Sequence, residues 1–213
     1  MRRDGSCCRW LAGGAALLIS ILVLSPAHGD LISHWSFDTD LTDDSGNGND
    51  GTAVNGAVVS STDSVFGGSS LYLDGASSAY VQTGNPGLQT SSFTIAAWVR
   101  PETLESDWTD IYGYWSNSGG NNYPFAFYMR SDNKLCAYFR PNIGLLSSTQ
   151  QYTLLNTWNH VAVTWDRDAK TMRLYVNGDL AASKPTTADN VDMQASVSGW
   201  TIGRKDDSGT PYD

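Results

Sequence analysis

Between residues 158 and 183 the chain alternates apolar and polar side chains with a period of two, breaks at a polar stretch over 167–170, alternates again and then meets Asn177-Gly178. Val161, Val163 and Trp165 fall on one face of the first run, and Met172, Leu174 and Val176 on one face of the second. That period belongs to a pleated strand and not to a helix. Asn-Gly supplies the positive φ that a tight hairpin needs and that β-branched residues resist. The segment predicts antiparallel β structure with one face buried.

Similar short runs recur at 31–37, 57–60, 71–73, 79–83, 93–100, 110–115, 125–130, 134–140, 160–166, 172–176 and 201–204. Clusters of Gly, Asn, Asp and Ser separate them, as in 43–51 and 117–122. Short strands without intervening helical periodicity predict an all-β sandwich or barrel. No internal repeat and no dividing linker occurs, so residues 30–213 read as one domain, large enough to bury its own core.

The first 29 residues differ in character. Arg2, Arg3 and Arg9 precede or open an apolar run over 10–24, and the small residues Ala27 and Gly29 follow it. A basic start, a short apolar core and a small-residue exit predict a signal peptide over 1–29, cleaved before Asp30. The run is shorter than the roughly 20 apolar residues of a membrane span, so no stable membrane insertion is expected after cleavage. An uncleaved N-terminal anchor is the alternative. The expected location is secreted and extracellular, or periplasmic. The chain carries 13 Lys+Arg against 22 Asp+Glu, a net charge of −9, and loss of the arginine-bearing leader makes the remainder more acidic. Such a surface repels nucleic acid and tolerates divalent cations. Beyond the leader only Cys136 remains, which predicts no internal disulfide and fits a small apolar filler in KLCAYFR.

The segments SFTIAAWVRP (92–101), WNHVAVTWD (158–166), MRLYVNGDLAAS (172–183) and TIGR (201–204) resemble the laminin-G-like domains of the concanavalin A-like jelly-roll superfamily. Upstream, HWSFD (34–38), DDSGNGNDGT (43–52) and SLYLDGASSAYVQ (70–82) resemble the opening strands and loops of its bacterial form, in the same order. The resemblance implies a two-sheet antiparallel jelly-roll sandwich, one sheet concave and one convex. It also implies a further strand after TIGR, beyond Asp213, so the sandwich is expected to lack its C-terminal strand. The edge near 31–37 would then stay unpaired, with Trp35 and Phe37 partly uncovered, and would invite aggregation or strand addition.

Relatives on that fold include glycoside hydrolases, which use two carboxylates roughly 5–9 Å apart. This chain has just two Glu, Glu102 and Glu105, both in a loop after Pro101, and no strand alternates acidic residues on one face. Asp38 and Asp40 have that spacing but lead into a Gly- and Asn-rich turn. His34 and His160 sit in predicted strands with no nucleophile motif beside them. A non-catalytic protein is expected.

The run 43–51 crowds Asp43, Asp44, Asn47, Asn49 and Asp50 between glycines. Calcium draws on oxygens of this kind, although the spacing is not that of an EF-hand. A polar turn capped by its own Asx side chains is the competing reading. The resemblance implies a structural Ca2+ shared between this loop and an acidic residue of the final strand, with Asp43 the leading ligand. The stretch 106–128 interleaves aromatic and polar residues, and Trp108, Trp115, Asn121, Asn122 and Tyr123 are the candidate ligand-binding residues. Aromatic faces stack on sugar C–H surfaces while amides bond the hydroxyls. Tyr112, Tyr114, Phe125 and Phe127 are assigned to the core, whereas Trp108, Trp115 and Tyr123 are expected at strand ends or in the loop. The expected function is an exported recognition module within a larger protein, binding carbohydrate or an extracellular protein partner. The alternatives are a structural or adhesive spacer, or an accessory domain of a glycoside hydrolase.

Overall fold

The computed structural model describes residues 29–88, 92–104, 108–114, 125–139, 144–187 and 199–203. The expected leader lies outside them, apart from Gly29. The strands are β1 (Thr52–Val54), β2 (Val58–Ser60), β3 (Ser70–Tyr72), β4 (Tyr80–Thr83), β5 (Phe93–Val99), β6 (Thr109–Tyr114) and β7 (Phe125–Met129). They continue with β8 (Leu135–Phe139), β9 (Gly144–Ser147), β10 (Asn159–Asp166), β11 (Thr171–Val176), β12 (Asp179–Pro185) and β13 (Trp200–Ile202). Among the described residues the only helical element is a single 3-10 turn, Gly75–Ser77.

The strands form a seven-stranded sheet in the order β1-β4-β13-β6-β7-β8-β9, a four-stranded sheet in the order β12-β11-β10-β5, and the β2-β3 hairpin. All pairings are antiparallel. This is the two-sheet sandwich that the family resemblance implies, and one of the two all-β forms that the alternating runs allow.

The segment 158–183 builds β10, β11 and most of β12. Asn177 (φ 52°) and Gly178 (φ 88°) both take the left-handed conformation of a primed hairpin turn. The Asn177 side chain clamps the start of β10, accepting from His160 N–H at 2.9 Å and donating to Asn159 Oδ1 at 3.0 Å. The register sets Val161 opposite Val176, Val163 opposite Leu174 and Trp165 opposite Met172. All six side chains are at most 2% exposed, so this face is the inner one.

From the seven-stranded sheet come Phe125, Phe127 and Phe139, each 0% exposed, and Trp200 at 1%. Phe125 meets Phe139 edge-on at 4.8 Å, and Tyr112 stacks on Trp200 at 5.2 Å. Full burial of side chains this size stabilises the fold by about 1.5–3 kcal/mol each. Tyr112, Tyr114, Phe125 and Phe127 all belong to this core, as assigned from the sequence. β13, which opens the TIGR segment, inserts between β4 and β6 and pairs Trp200 with Thr83 and Tyr114.

The segment 31–37 departs from expectation: it joins no ladder among the described residues. Its burial still alternates, with Ser33, Trp35 and Phe37 turned partly inward, but its partners are the loop over 43–50. His34 N–H donates to Asp43 Oδ1 at 2.9 Å, Ser36 N–H to Asp44 Oδ2 at 3.1 Å, and Trp35 Nε1 to the Asn49 carbonyl at 3.0 Å. Carboxylates thus take the place of a neighbouring strand. Trp35 packs against Tyr112 at 6.0 Å and is half-buried.

Candidate functional site

The loop over 43–51 is organised around one carboxylate. Asp43 is 4% exposed. Its Oδ1 accepts from His34 N–H at 2.9 Å and Ser45 N–H at 3.0 Å, and its Oδ2 from Asn49 N–H at 3.0 Å. Burial alone would raise its pKa. The bonds from His34, Ser45 and Asn49 together outweigh burial and hold it far below the usual carboxylate range.

The other loop side chains bond backbone groups, of the loop itself or of the segment 31–36. Asp50 Oδ1 accepts from Asp43 N–H at 2.8 Å. Asn47 Nδ2 donates to the carbonyls of Leu31 at 2.8 Å and Ile32 at 3.1 Å, and Asn49 Nδ2 donates to Ile32 O at 3.1 Å. Asp44 Oδ2 lies 4.0 Å from His34 Nδ1 in an exposed pair. Among the described residues, no three acidic, His or Cys side chains converge as a metal-binding group. Asp43, Asp44, Asn47 and Asn49 therefore come together in one loop, but as caps for backbone groups.

A second constellation lies on the face of the seven-stranded sheet turned away from the core. The register sets Asp110, Tyr128, Cys136 and Ser147 side by side across β6, β7, β8 and β9. Tyr128 is 2% exposed, Cys136 0% and Asp110 5%, as dry as the core, while Ser147 at the end of the row is half-buried. Cys136 Sγ donates to Ser147 Oγ at 3.3 Å. Burial is the chief cause that pushes the Tyr128 phenol and the Cys136 thiol up, so both stay protonated near neutral pH. Cys136 is the buried filler that the sequence predicts.

Trp108 closes this row. Its ring stacks on Tyr128 at 4.5 Å with 27° between planes, and Tyr138 packs nearby. Both Trp108 and Tyr138 are half-buried. Trp108 directly precedes β6, at a strand end, and leans on the sheet as the rim of an aromatic patch. Trp115, Asn121, Asn122 and Tyr123 lie outside the described residues. The sequence reading missed Tyr138 and the Asp110–Ser147 row. The signal available was the parity of FAFYM, which sends Ala126 and Tyr128 away from Phe125 and Phe127.

A shallow depression of about 290 Å³ lies beyond the β7–β8 turn, lined by Asn133, Gln151, Tyr152, Thr153, Leu154 and Leu155. It holds one aromatic ring and no charge. The described acidic residues weighed for catalysis are engaged elsewhere, and Glu105 lies outside the described residues. Glu102 pairs with Arg100 at 3.4 Å, Asp38 Oδ1 accepts from Gly68 N–H at 3.3 Å, and Asp40 Oδ1 accepts from Thr42 N–H at 2.8 Å. His34 is outside any ladder, and His160 packs edge-on against Trp98 at 5.3 Å.

Residues 74–213 match the family described as the concanavalin A-like lectin/glucanases superfamily. No curated protein matches the chain. Among solved structures, the binding domain of Botulinum Neurotoxin DC, in complex with SialylT, is 18% identical with a TM-score of 0.51, over 76% of this chain and 39% of that one. The CBM40 of Ruminococcus gnavus IT-sialidase, bound to alpha2,3 sialyllactose, is 19% identical with a TM-score of 0.47, over 59% of this chain and 69% of that one. A Bacteroides ovatus protein assigned as carbohydrate-binding is 23% identical with a TM-score of 0.45, over 58% of this chain. The match spans about a third of that protein, 34% of its length.

Proposed function

We propose that this chain, which belongs to the concanavalin A-like lectin/glucanases superfamily, is a non-catalytic recognition module for carbohydrate, exported and working within a larger extracellular protein. The observation that carries the reading is the Trp108–Tyr128 stack on the outer face of the seven-stranded sheet, with Tyr138 beside it and a polar row beneath. A half-exposed indole fixed by a second ring offers a rigid apolar plane for sugar C–H groups at little entropic cost. The SialylT complex of the toxin domain suits the same ligand class. Among the described acidic residues weighed for catalysis, each accepts from a backbone N–H or sits in an ion pair, which supports a binding role over hydrolysis. The predicted leader and the acidic balance support export and argue against nucleic acid.

Calcium enters this proposal in a restricted form. The cation takes roughly six to eight oxygens, while Asp43 already accepts three N–H groups and the asparagine amides point at carbonyls. The loop suits a self-supporting turn better than a cage, and melting with and without a chelator decides between them.

The test of function is retention on polysaccharide affinity gels and a glycan array, with Trp108→Ala and Trp115→Ala compared with Trp108→Phe. The Phe variant keeps a ring against Tyr128, so it should retain partial binding while the Ala pair abolishes it. Undiminished binding by a folded Ala pair, or no glycan signal from the wild type, would reject the assignment.

A further inference from the structure

A second row of side chains runs beside the buried one on the outer face of the seven-stranded sheet. The register sets Thr109 opposite Met129 and Asp110 opposite Tyr128, and continued by one step it sets Trp108 opposite Arg130. Arg130 in turn meets Lys134 across the β7–β8 turn, its N–H donating to the Lys134 carbonyl at 3.0 Å. By strand parity Trp108, Arg130 and Lys134 share the face of Tyr128 and Cys136. The electrostatics agree. Burial raises the Tyr128 phenol and the Cys136 thiol, and the Arg130 charge works against it at both, so the guanidinium lies close to this row.

One carboxylate serves both cations. Asp132 Oδ1 meets Arg130 Nε at 3.4 Å and Asp132 Oδ2 meets Lys134 Nζ at 3.6 Å, and all three side chains are 32% exposed. The first contact is poorly aligned, since neither Arg130 Nε nor Asp132 Oδ1 makes a hydrogen bond. Among the described residues no hydrogen bond holds the Arg130 Nη groups either. Two cations against one acid leave a positive charge in excess at this rim, on a chain whose net charge is −9. Asp110, on the same face, is 5% exposed and offers a ligand almost no surface.

A guanidinium with open, parallel N–H groups matches a planar carboxylate, which the point charge of a lysine does less well. Across from it stands the Trp108 ring, which the stack on Tyr128 holds in place. We propose that this site takes acidic carbohydrate, with a sugar ring on Trp108 and its carboxylate on Arg130. Lys134 adds charge without the fork. The proposal rests on the carbohydrate reading above and narrows it to glycans that carry a carboxylate. Terminal sialic acids and in-chain uronic acids share that group.

A glycan array followed by titration calorimetry on matched pairs tests this, with sialyllactose set against lactose and oligogalacturonate against its methyl ester. The wild type should bind the acidic member of at least one pair about 10–100-fold more tightly than the neutral member, and the pair that responds identifies the source of the carboxylate. Arg130→Met should bring the affinity for the acidic member down to that of the neutral one, and Arg130→Lys should restore only part of the difference. Thermal melts check that each variant folds, and Arg130→Gln replaces the Met variant if that one does not. Equal affinity for acidic and neutral members would overturn the proposal and leave the carbohydrate reading standing. So would a preference that survives in folded Arg130→Met, or one that is complete in Arg130→Lys and so needs charge without the fork. An array on which no glycan is retained would remove the carbohydrate reading and this inference together.

Discussion

Replacing Asp43 tests whether one carboxylate holds the segment 31–37 in place. Asp43→Ala leaves the N–H groups of His34, Ser45 and Asn49 without their acceptor. A buried donor left unsatisfied costs about 1–3 kcal/mol. His34 is exposed and Ser45 and Asn49 are half-buried, so water can reach these donors and the low end of that range applies. Three donors at about 1 kcal/mol each give a loss of about 3 kcal/mol. Asp43→Asn keeps an acceptor for the two donors on Oδ1 but turns an NH2 toward Asn49 N–H, for about 1–2 kcal/mol. Denaturant titration of wild type and both variants at neutral pH reads the difference directly.

The same residue has a pH signature. Its folded pKa lies below the unfolded value of about 3.9, so the folded state favours the ionised form. That contribution is complete above about pH 5 and is lost as the pH falls through 4 toward the folded pKa. Asp43→Asn should flatten this acid limb and leave the neutral region parallel to the wild type. A loss below about 1 kcal/mol for Asp43→Ala, or an acid limb unchanged in Asp43→Asn, would show that the loop is held by something else.

Two glycines separate backbone strain from lack of space. Gly203 has φ 85°, and a Cβ there would overlap Leu73 Cδ1, so Gly203→Ala should cost about 2–4 kcal/mol, several degrees in Tm. Gly178 has φ 88° but nothing within 4 Å of an added Cβ, so Gly178→Ala should cost only about 1–2 kcal/mol by thermal melting. Cys136, 0% exposed with its thiol pushed up by burial, should resist alkylation in the folded state and react on unfolding. Rapid native labelling would contradict the packing of the outer face.

Much of the fold is legible because one face of most strands is dry. The alternation of 160–166 and 172–176 translates into side chains at most 2% exposed, and Asn177-Gly178 into a turn. What escaped has physical reasons. β1 and β9 are too short to show a period, and β12 reads as DLAASKP, where small and charged residues blur the faces. Residues 31–37 alternate like a strand but bond to carboxylates instead of a neighbour, which a period of two does not distinguish. In the candidate site the obstacle is a bulge. Asp110 and Tyr112 are two apart, yet a register shift between them lets Tyr112 pack in the core while Asp110 pairs with Tyr128 on the other face. Simple parity would have put Trp108, Asp110, Tyr112 and Tyr114 together.

That bulge decides where a ligand could engage the sheet. β7 buries both of its faces: Phe125 and Phe127 toward the core, Ala126 and Tyr128 away from it, none more than 2% exposed. A strand this dry on both sides reads as a continuous apolar run and offers no surface of its own. On the proposed reading, contact with a sugar on this face would fall to the rings that rim the row, Trp108 and Tyr138, both half-buried. Tyr128 supports Trp108 from beneath, and its loss should weaken binding only by letting the indole tilt. Tyr128→Phe keeps the stack and removes only the hydroxyl, so it should bind as the wild type does, and Trp108→Ala should not. If Tyr128→Phe abolished binding with the fold intact, the phenol and not the indole would be the group that meets the ligand.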